Sequence, residues 1–600
     1  MPYHAPVTEM IFAMRHSGGL EEGIEAGLYH DLADGALEAL LDEAAKFAEN
    51  RLGPLNRIGD QAGTKLENGV VTTAPGFREA YAQWIEAGWN GVLGPAEYGG
   101  MALPALLNAA LTEMWNAANM SFSLCPLLSF GAIDAVETHA SEDLKRIYLA
   151  KMVSGEWPGT MNLTEPQAGS DLSALRSRAE RGQDGTYRIF GQKIYITFGE
   201  HDLADNIVHL VLARLADAPT GTRGISLFLV PKFLPDADGK PGRRNDLRCT
   251  GIEHKLGIHA SPTCSMSFGD EGGAVGWLVG EENRGLNCMF TMMNSARLSV
   301  GLQGVAAAEA ATQQALSYAR ERRQGRAPSG DGSYGGGMSP IIDHPDMRRT
   351  LGLMRALTDA SRAICYTTAG ALDRSRRLSD KAEAKQAADR AALLTPVAKA
   401  FSTDIGVEVA SMGVQVHGGM GFVEETGAAQ ILRDVRITPI YEGTNGIQAI
   451  DLVQRKLPLG GGDVVRAEIA AMRETVERVR ATNSGAFGRM GEMLADAVDS
   501  CERATEWLLG ALKDAPQDAL AGATPYLRLF GLARGGTALG EGALAAHRSA
   551  MDGGSDPASA SRIATARFFA EHVATGARGL EAAIVAGAPS VHDPALVAAE

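Results

Sequence analysis

Between Leu32 and Asn50 the apolar positions Leu37, Leu40, Leu41, Ala44 and Phe47 keep the three-and-four spacing of one helix face, with acids early and Lys46 late. This pattern predicts an amphipathic helix, which Gly53-Pro54 is expected to stop. The runs PGFREAYAQWIEAG and LPALLNAALTEMWNAA continue the helical texture, and Glu97 to Gly100 reads as a loop between helices. Near Pro158 the texture changes to short runs rich in Ile, Val, Tyr and Phe, such as TYRIFGQKIYIT, NIVHLVLARL and GISLFLVPK, which predict strands. Pro235 to Asp246 reads as an exposed loop between two of them. Long helices return after Gly285, and Leu457 to Gly462 is a strong breaker. Beyond it Phe487, Met490, Leu494, Val498 and Cys501 form one apolar stripe. The chain thus divides into a helical domain 1–158, a β domain 159–282, a helical domain 283–457 and a helical extension 463–600, a multi-domain α+β architecture.

Six hundred residues, 45% hydrophobic and 21% charged, are too many for one core. A formal net charge of -16 argues against nucleic acid or an anionic membrane as the main partner, since phosphate binding needs a positive field. The six cysteines show no CxxC spacing, which fits buried thiols in a reducing compartment. The N-terminus lacks a basic region followed by an apolar core, and no uninterrupted apolar run approaches the ~20 residues of a membrane span, so a cytoplasmic protein without an integral membrane segment is expected.

Gly330 to Gly335 satisfies GxGxxG, yet a helix precedes it and a Pro-bounded loop follows, which is the wrong setting for a dinucleotide fold. There is no phosphate loop, HExxH or GxSxG elbow. His254, His259 and Cys264 match no common zinc spacing, so a structural role is expected and no metal.

Other segments carry more chemistry. In MNLTEPQAGSD, Thr164 offers a hydroxyl, Gly169 allows close backbone approach and Ser170 adds a short polar contact, although a polar turn capped by Asp171 explains the same residues. In GQKIYIT, Tyr195 and Thr197 stand two apart, so one strand face could bring an aromatic plane and a hydroxyl to a flat ring, or be an ordinary strand face. Arg322 ends a helix, where its fork suits phosphate oxygens or a solvated surface equally. Gly418-Gly419 allows close approach or caps a helix. In ITPIYEGTNGIQ, Glu442 is a carboxylate between a tyrosine and Gly443-Thr444.

MNLTEPQAGSD and ITPIYEGTNGIQ, in this order and with GQKIYIT, HKLGIHASPTC and QVHGGMGF between them, resemble the acyl-CoA dehydrogenase family of FAD enzymes. The resemblance implies a middle domain like a β-barrel and a four-helix bundle at 283–457, and the extension resembles that of the longer bacterial subgroup. It also implies that Leu163 and Thr164 contact the flavin pyrimidine, that Thr197 lies near N5, and that Tyr195 covers the ring face away from substrate. Ser170 would reach both cofactor phosphate and CoA, while Gly169 would admit the cofactor. Arg322 and Gln324 would serve the pyrophosphate of a neighbouring subunit, although the family more often has Phe-Gly after that arginine. Gln415, Gly418 and Gly419 would hold adenine across a subunit interface, with Thr444 and Asn445 facing adenosine. Asn294, Arg297 and Gly443 would border the acyl-CoA.

By the same resemblance Glu442 would be the base, its pKa raised as the acyl chain excludes water, while the Glu442 N–H and a ribityl hydroxyl would stabilise the enolate oxygen. Ala296 stands where some members carry that base, so Glu442 has no rival there. The pattern is most similar to dehydrogenases of 3-(methylthio)propanoyl-CoA; another acyl-CoA, an acyl-CoA oxidase and a flavin-bearing scaffold are the competing readings. An electron-transfer flavoprotein as acceptor and a homodimer complete the implied partners.

Overall fold

The structure, a computed structural model, describes residues 3–33, 35–328, 337–482, 484–553 and 556–598, and Asn294 without its side chain. In chain order the main elements are helices α1 (Ala36–Phe47), α2 (Phe77–Glu86) and α3 (Ala105–His139), then strands β1 (Gly159–Asn162), β2 (Arg178–Arg181), β3 (Tyr187–Thr197), β4 (Val208–Leu215), β5 (Ile225–Pro231), β6 (Leu247–Ile252), β7 (Thr263–Phe268) and β8 (Ala274–Val279). Helices α4 (Gly285–Glu321), α5 (Pro345–Arg377), α6 (Lys381–His417) and α7 (Asn445–Asp451) follow, and α8 (Asp463–Ala481), α9 (Met490–Asp514), α10 (Ala523–Met551) and α11 (Ser559–His572) form the extension.

These elements sort into two compact units that cut across the four expected segments: residues 1–45, 105–117 and 300–600 in one, and 46–104 and 118–299 in the other. The cut in α3 falls beside Asn119, whose backbone leaves the helical region (φ -160°, ψ 91°). Its carboxamide oxygen accepts from Phe122 N–H at 3.0 Å, in the manner of a cap inside the helix.

The β unit is built on strand pairing that closes on itself. β3 pairs β8, β8 pairs β5, β5 pairs β4, β4 pairs β2, and β2 returns to β3, so five strands make a ring. β1 lies parallel beside β4, while β7 and β6 extend the sheet from β3. β4 is buried on both faces: Leu210 and Leu212 pack with Leu149, Met152 and Trp157, and Val211 and Ala213 pack with Ile189, Phe228 and Met266. That two-sided burial explains why its sequence reads as a largely apolar run, interrupted only by His209 and Arg214.

In the helical unit, α5 and α6 lie along each other and α10 packs against both. Gly304 of α4 is so close to α6 that a Cβ there would stand 2.2 Å from the Ser402 carbonyl oxygen. The extension is joined to this bundle by buried charge. Glu468 of α8 accepts from Arg390 of α6 at 2.7 Å and pairs with Arg534 of α10 at 2.9 Å. Gly531 of α10 lies against the Phe401 ring, where an added Cβ would come within 2.2 Å. Residues 463–598 therefore pack on 300–457 within one compact unit.

Three local expectations change. Gly53-Pro54 does not stop the first helix; a π turn at Ala48–Leu52 leads into a further helix, Gly53–Ala62, with proline in its first turn, where its missing N–H does no harm. Pro235 to Asp246 is not merely loop, because Pro241–Arg244 pairs with Phe233–Pro235, and Asp236 closes that hairpin by accepting from the N–H groups of Asp238 and Lys240. Phe487 lies in a 3₁₀ turn before α9, although it is buried with Met490, Leu494, Val498 and Cys501 as the stripe requires. Within 283–457 the described helices are three long ones and short ones at Ala428–Val435 and α7. Among the described residues one helix, α3, has the length and composition to cross a bilayer, and 89% of its most apolar window is buried inside the protein.

Candidate active site

In the β unit, the end of β1 meets the end of β3. Ile194 N–H donates to the Thr164 carbonyl at 2.9 Å, and the Lys193 ammonium donates to the Leu163 carbonyl at 3.0 Å and to Glu165 Oε1 at 2.9 Å. Lys193 has no exposed surface and Glu165 is 3% exposed. Glu165 also accepts from Arg176 N–H at 2.7 Å, Ser177 N–H at 3.0 Å and Gln167 at 2.6 Å. Burial alone would raise its carboxyl, but Lys193 and these donors prevail and hold it at about 2. Burial pushes the Lys193 ammonium down to about 8, against the pull of Glu165.

This pair anchors the TEPQAGSD segment from beneath. Glu165 and Ala168 exchange backbone hydrogen bonds across a turn, and Asp171 caps the next turn by accepting from Ser173 N–H at 2.8 Å, so the polar-turn reading is part of the answer. Leu163 and Thr164 are left half-buried, and Gly169 and Ser170 exposed. Nothing lies within 4 Å of a Cβ built on Gly169.

Strict two-residue alternation does not hold at Tyr195. Ile196 pairs with Cys264 but Lys193 pairs with Met266, so β3 carries one extra residue, a bulge at Ile194 and Tyr195. Tyr195 sits there at φ 60° with 60% of its surface exposed. Thr197 is half-buried, and its carbonyl accepts from Thr160 Oγ1 at 2.7 Å. Farther along, Arg297 lies buried in α4 beside buried Ala296, and the side chain of Asn294 is outside the described residues.

In the helical unit, Glu442 is half-buried at φ 55° and is followed by Gly443 at φ 84°. A left-handed glutamate is a strained arrangement that neighbours must enforce. On one side the Tyr441 phenol donates to Gln303, whose amide donates to Asn116 at 3.0 Å. Burial, and after it the charge of Glu442, push that phenol up. From below, buried Gln448 donates to the carbonyls of Gly443 at 3.3 Å and Glu442 at 3.5 Å. On the other side Asn445 is locked to α6: its Oδ1 accepts from Lys399 at 2.8 Å, and its amide donates to Asp404 at 2.7 Å and to the Ala400 carbonyl at 3.1 Å. Thr444 caps α7, its hydroxyl accepting from Ile447 N–H at 3.3 Å.

A third group lies at the far ends of α4 and α6. Tyr318 and His417 stack with ring centroids 4.4 Å apart, which brings these helix ends together. Arg322 and Gln324 leave the first and Gln415, Gly418 and Gly419 leave the second, all exposed. Gly418 has φ 59° and its N–H donates to the Gln415 carbonyl, so it does cap α6. Phe422, just beyond, is 88% exposed.

The chain matches four family descriptions in succession: acyl-CoA dehydrogenase N-terminal domain over residues 35–156, middle domain over 160–270, C-terminal domain over 283–457, and acetyl-CoA dehydrogenase C-terminal like over 468–594. It is 48% identical over 573 residues to 3-methylmercaptopropionyl-CoA dehydrogenase of Ruegeria pomeroyi, covering 96% of both chains. This chain belongs to the acyl-CoA dehydrogenase family. Among solved structures, Caenorhabditis elegans ACDH-11 in complex with C11-CoA superposes with a TM-score of 0.75 at 19% identity, covering 97% of this chain and 95% of the other. Acyl-CoA dehydrogenase of Bacillus anthracis complexed with FAD gives 0.72 at 20% identity, covering 92% and 88%. Both likenesses concern the fold.

The protein is therefore an oxidoreductase that dehydrogenates acyl-CoA thioesters, in a family whose usual cofactor is FAD. In this acyl-CoA dehydrogenase the motifs give no sign of the residues that hold these segments, namely Lys193 and Glu165 in one unit and Gln303, Lys399, Asp404 and Gln448 in the other. A buried lysine inside a strand pattern and another inside an apolar helix were the available signals. Asn445, expected to face adenosine, has its amide engaged within its own unit. His259 meets Asp60 on one ring nitrogen and the Lys255 carbonyl on the other. Cys264 is buried in β7, and the GxGxxG segment, Gly330 to Gly335, lies outside the described residues.

Proposed function

We propose that Glu442 is the base that removes the α-proton of the acyl-CoA, that FAD is bound by the residues named above, and that the substrate is 3-(methylthio)propanoyl-CoA. The observation that carries the reading is a carboxylate held at φ 55° by contacts on its two flanks and below. Residues fixed in that way are over-determined, and such strain gathers at working sites.

The β unit fits a flat cofactor. Tyr195 presents an exposed ring, Gly169 leaves open space, and the Leu163-Thr164 backbone is fixed in place by Lys193. Leu163, Thr164, Tyr195 and Thr197 would hold the flavin ring and Ser170 its phosphate. Arg322, Gln324, Gln415, Gly418 and Gly419 would hold the nucleotide end, with Thr444 beside it. When bound, FAD supplies the acceptor for the β-hydride, which no protein side chain provides.

Glu442 takes the α-proton, and its backbone N–H stabilises the developing enolate oxygen. By the family resemblance Arg297, Ser170 and Gly443 would contact the thioester, which must be held for the ~3–3.5 Å approach that transfer needs. A homodimer is supported by the exposed Phe422 next to the nucleotide-end glycines. Electrons would pass to an electron-transfer flavoprotein. The six buried free thiols suit a reducing cytoplasm.

The substrate rests on the Ruegeria pomeroyi relative. Anaerobic mixing of holoenzyme with a panel of acyl-CoA esters, followed at the flavin band and with an artificial acceptor, tests it. The methylthio ester is expected to bleach the flavin fastest. A flat profile, or a straight-chain ester that outruns it, removes the substrate assignment, and stoichiometric peroxide in air turns the reading to an oxidase.

A further inference from the structure

We infer that Lys399 is a positioning residue for the base loop, acting at one remove through Asn445; this rests on the reading of Glu442 as the base. Lys399 has no exposed surface, a setting in which an ammonium is expensive to keep charged. It donates to Asn445 Oδ1 at 2.8 Å. The opposite end of the same amide donates to Asp404 at 2.7 Å, and Thr403 Oγ1 accepts from it at 3.0 Å.

An amide with its oxygen toward a cation and its nitrogen toward a carboxylate cannot flip without placing like against like. Asn445 is the first residue of α7, three places after Glu442, and its own N–H returns to the Pro439 carbonyl at 3.0 Å. Fixing that amide closes the loop 439–445 at its base. Gln448, one turn on, then reaches the carbonyls of Glu442 and Gly443. The clamp therefore keeps Glu442 in its left-handed backbone, a strained conformation that would otherwise relax. Lys399 has no chemical step of its own in this scheme. Its effect is to hold the carboxylate where the α-proton is, and a displacement of ~1 Å is enough to lower the rate ~10²-fold.

The test uses FAD-loaded full-length protein and two readouts, steady-state kinetics and amide hydrogen exchange of residues 441–448. Lys399→Met is expected to keep its flavin, lower kcat ~10–10²-fold with KM changed less than ~3-fold, and speed exchange in 441–448 at least ~10-fold. Lys399→Arg, which keeps the cation, is expected to recover part of kcat. Unchanged kcat in Lys399→Met, or lower kcat with unchanged exchange in the loop, overturns the inference. Should Lys399→Met fail to fold, Thr403→Val decides by the same exchange measurement: faster exchange supports the clamp and unchanged exchange overturns it. Glu442→Gln separates the two readings, since full turnover in that variant removes the base assignment while the exchange result still judges the clamp.

Discussion

Tyr195 in the β unit and Glu442 in the helical unit stand at φ 60° and 55°, and each adjoins a segment gripped by a lysine with no exposed surface, Lys193 or Lys399. The grips differ in kind. Lys193 meets a carboxylate, Glu165, that is itself fastened to backbone N–H groups, whereas Lys399 reaches the loop through the Asn445 amide, whose other end is held by Asp404. Where a surface has only to stay still for a ligand, a direct ion pair serves. Where we propose that a proton moves, the loop is held through an amide shared between Lys399 and Asp404.

The strongest way to break this comparison is Glu442→Gln. It is expected to retain FAD and lose at least ~10²–10⁴-fold in kcat, read by anaerobic mixing with acyl-CoA. Bleaching as fast as in the wild type would remove the proton-moving half of the contrast. Next in size is Lys193→Met, which strands Glu165 as a buried carboxylate. A loss of about 3–5 kcal/mol in chemical denaturation is expected, with looser flavin retention. Lys193→Met combined with Glu165→Leu should recover only part of that loss, because it removes the stranded charge but leaves the N–H groups of Arg176 and Ser177 without their acceptor.

The pH dependence sharpens the same point. The folded state holds Glu165 at about 2, below its ordinary 4.5, so its contribution is fully present above pH 4.5 and is lost as pH falls toward 2. Unfolding midpoints measured across that window should slope downward with acid in the wild type and less steeply in Glu165→Gln. The smallest effect belongs to Tyr195→Gly. Relief of about 1–2 kcal/mol of left-handed strain is offset by the greater backbone freedom of glycine, so stability should move by less than ~1 kcal/mol while flavin affinity falls. A thermal shift corresponding to more than ~2 kcal/mol would mean that the ring supports the fold, and the comparison would fail there.

What the sequence disclosed follows from what short-range patterns can carry. The stripe Leu37, Leu41 and Ala44 was readable because helical period alone places them inward, and all three are buried. TEPQAGSD and YEGTN were readable because glycine, hydroxyl and carboxylate in a fixed spacing leave a local signature. Lys193 with Glu165, and Lys399 with Asn445, were not, since each pair is separated by strands or helices and no periodicity links its members. The bulge at Tyr195 was hidden for a related reason: an extra residue in β3 is defined by its partner β7, which lies far along the chain. How the extension 463–600 packs on the bundle was equally hidden, since Glu468 between Arg390 and Arg534 is a contact that a breaker such as Leu457 to Gly462 does nothing to announce.

The seating of Gly531 against Phe401 has a consequence for how the enzyme comes into being. A ribosome releases the chain from its N-terminus, so Lys399, Phe401 and Glu442 emerge while Ala523–Met551 is still unmade. During that interval the Phe401 face that meets Gly531 lacks this partner, two residues from Lys399. A nonsense codon ahead of position 531 would leave that face of α6 without the helix that packs on it.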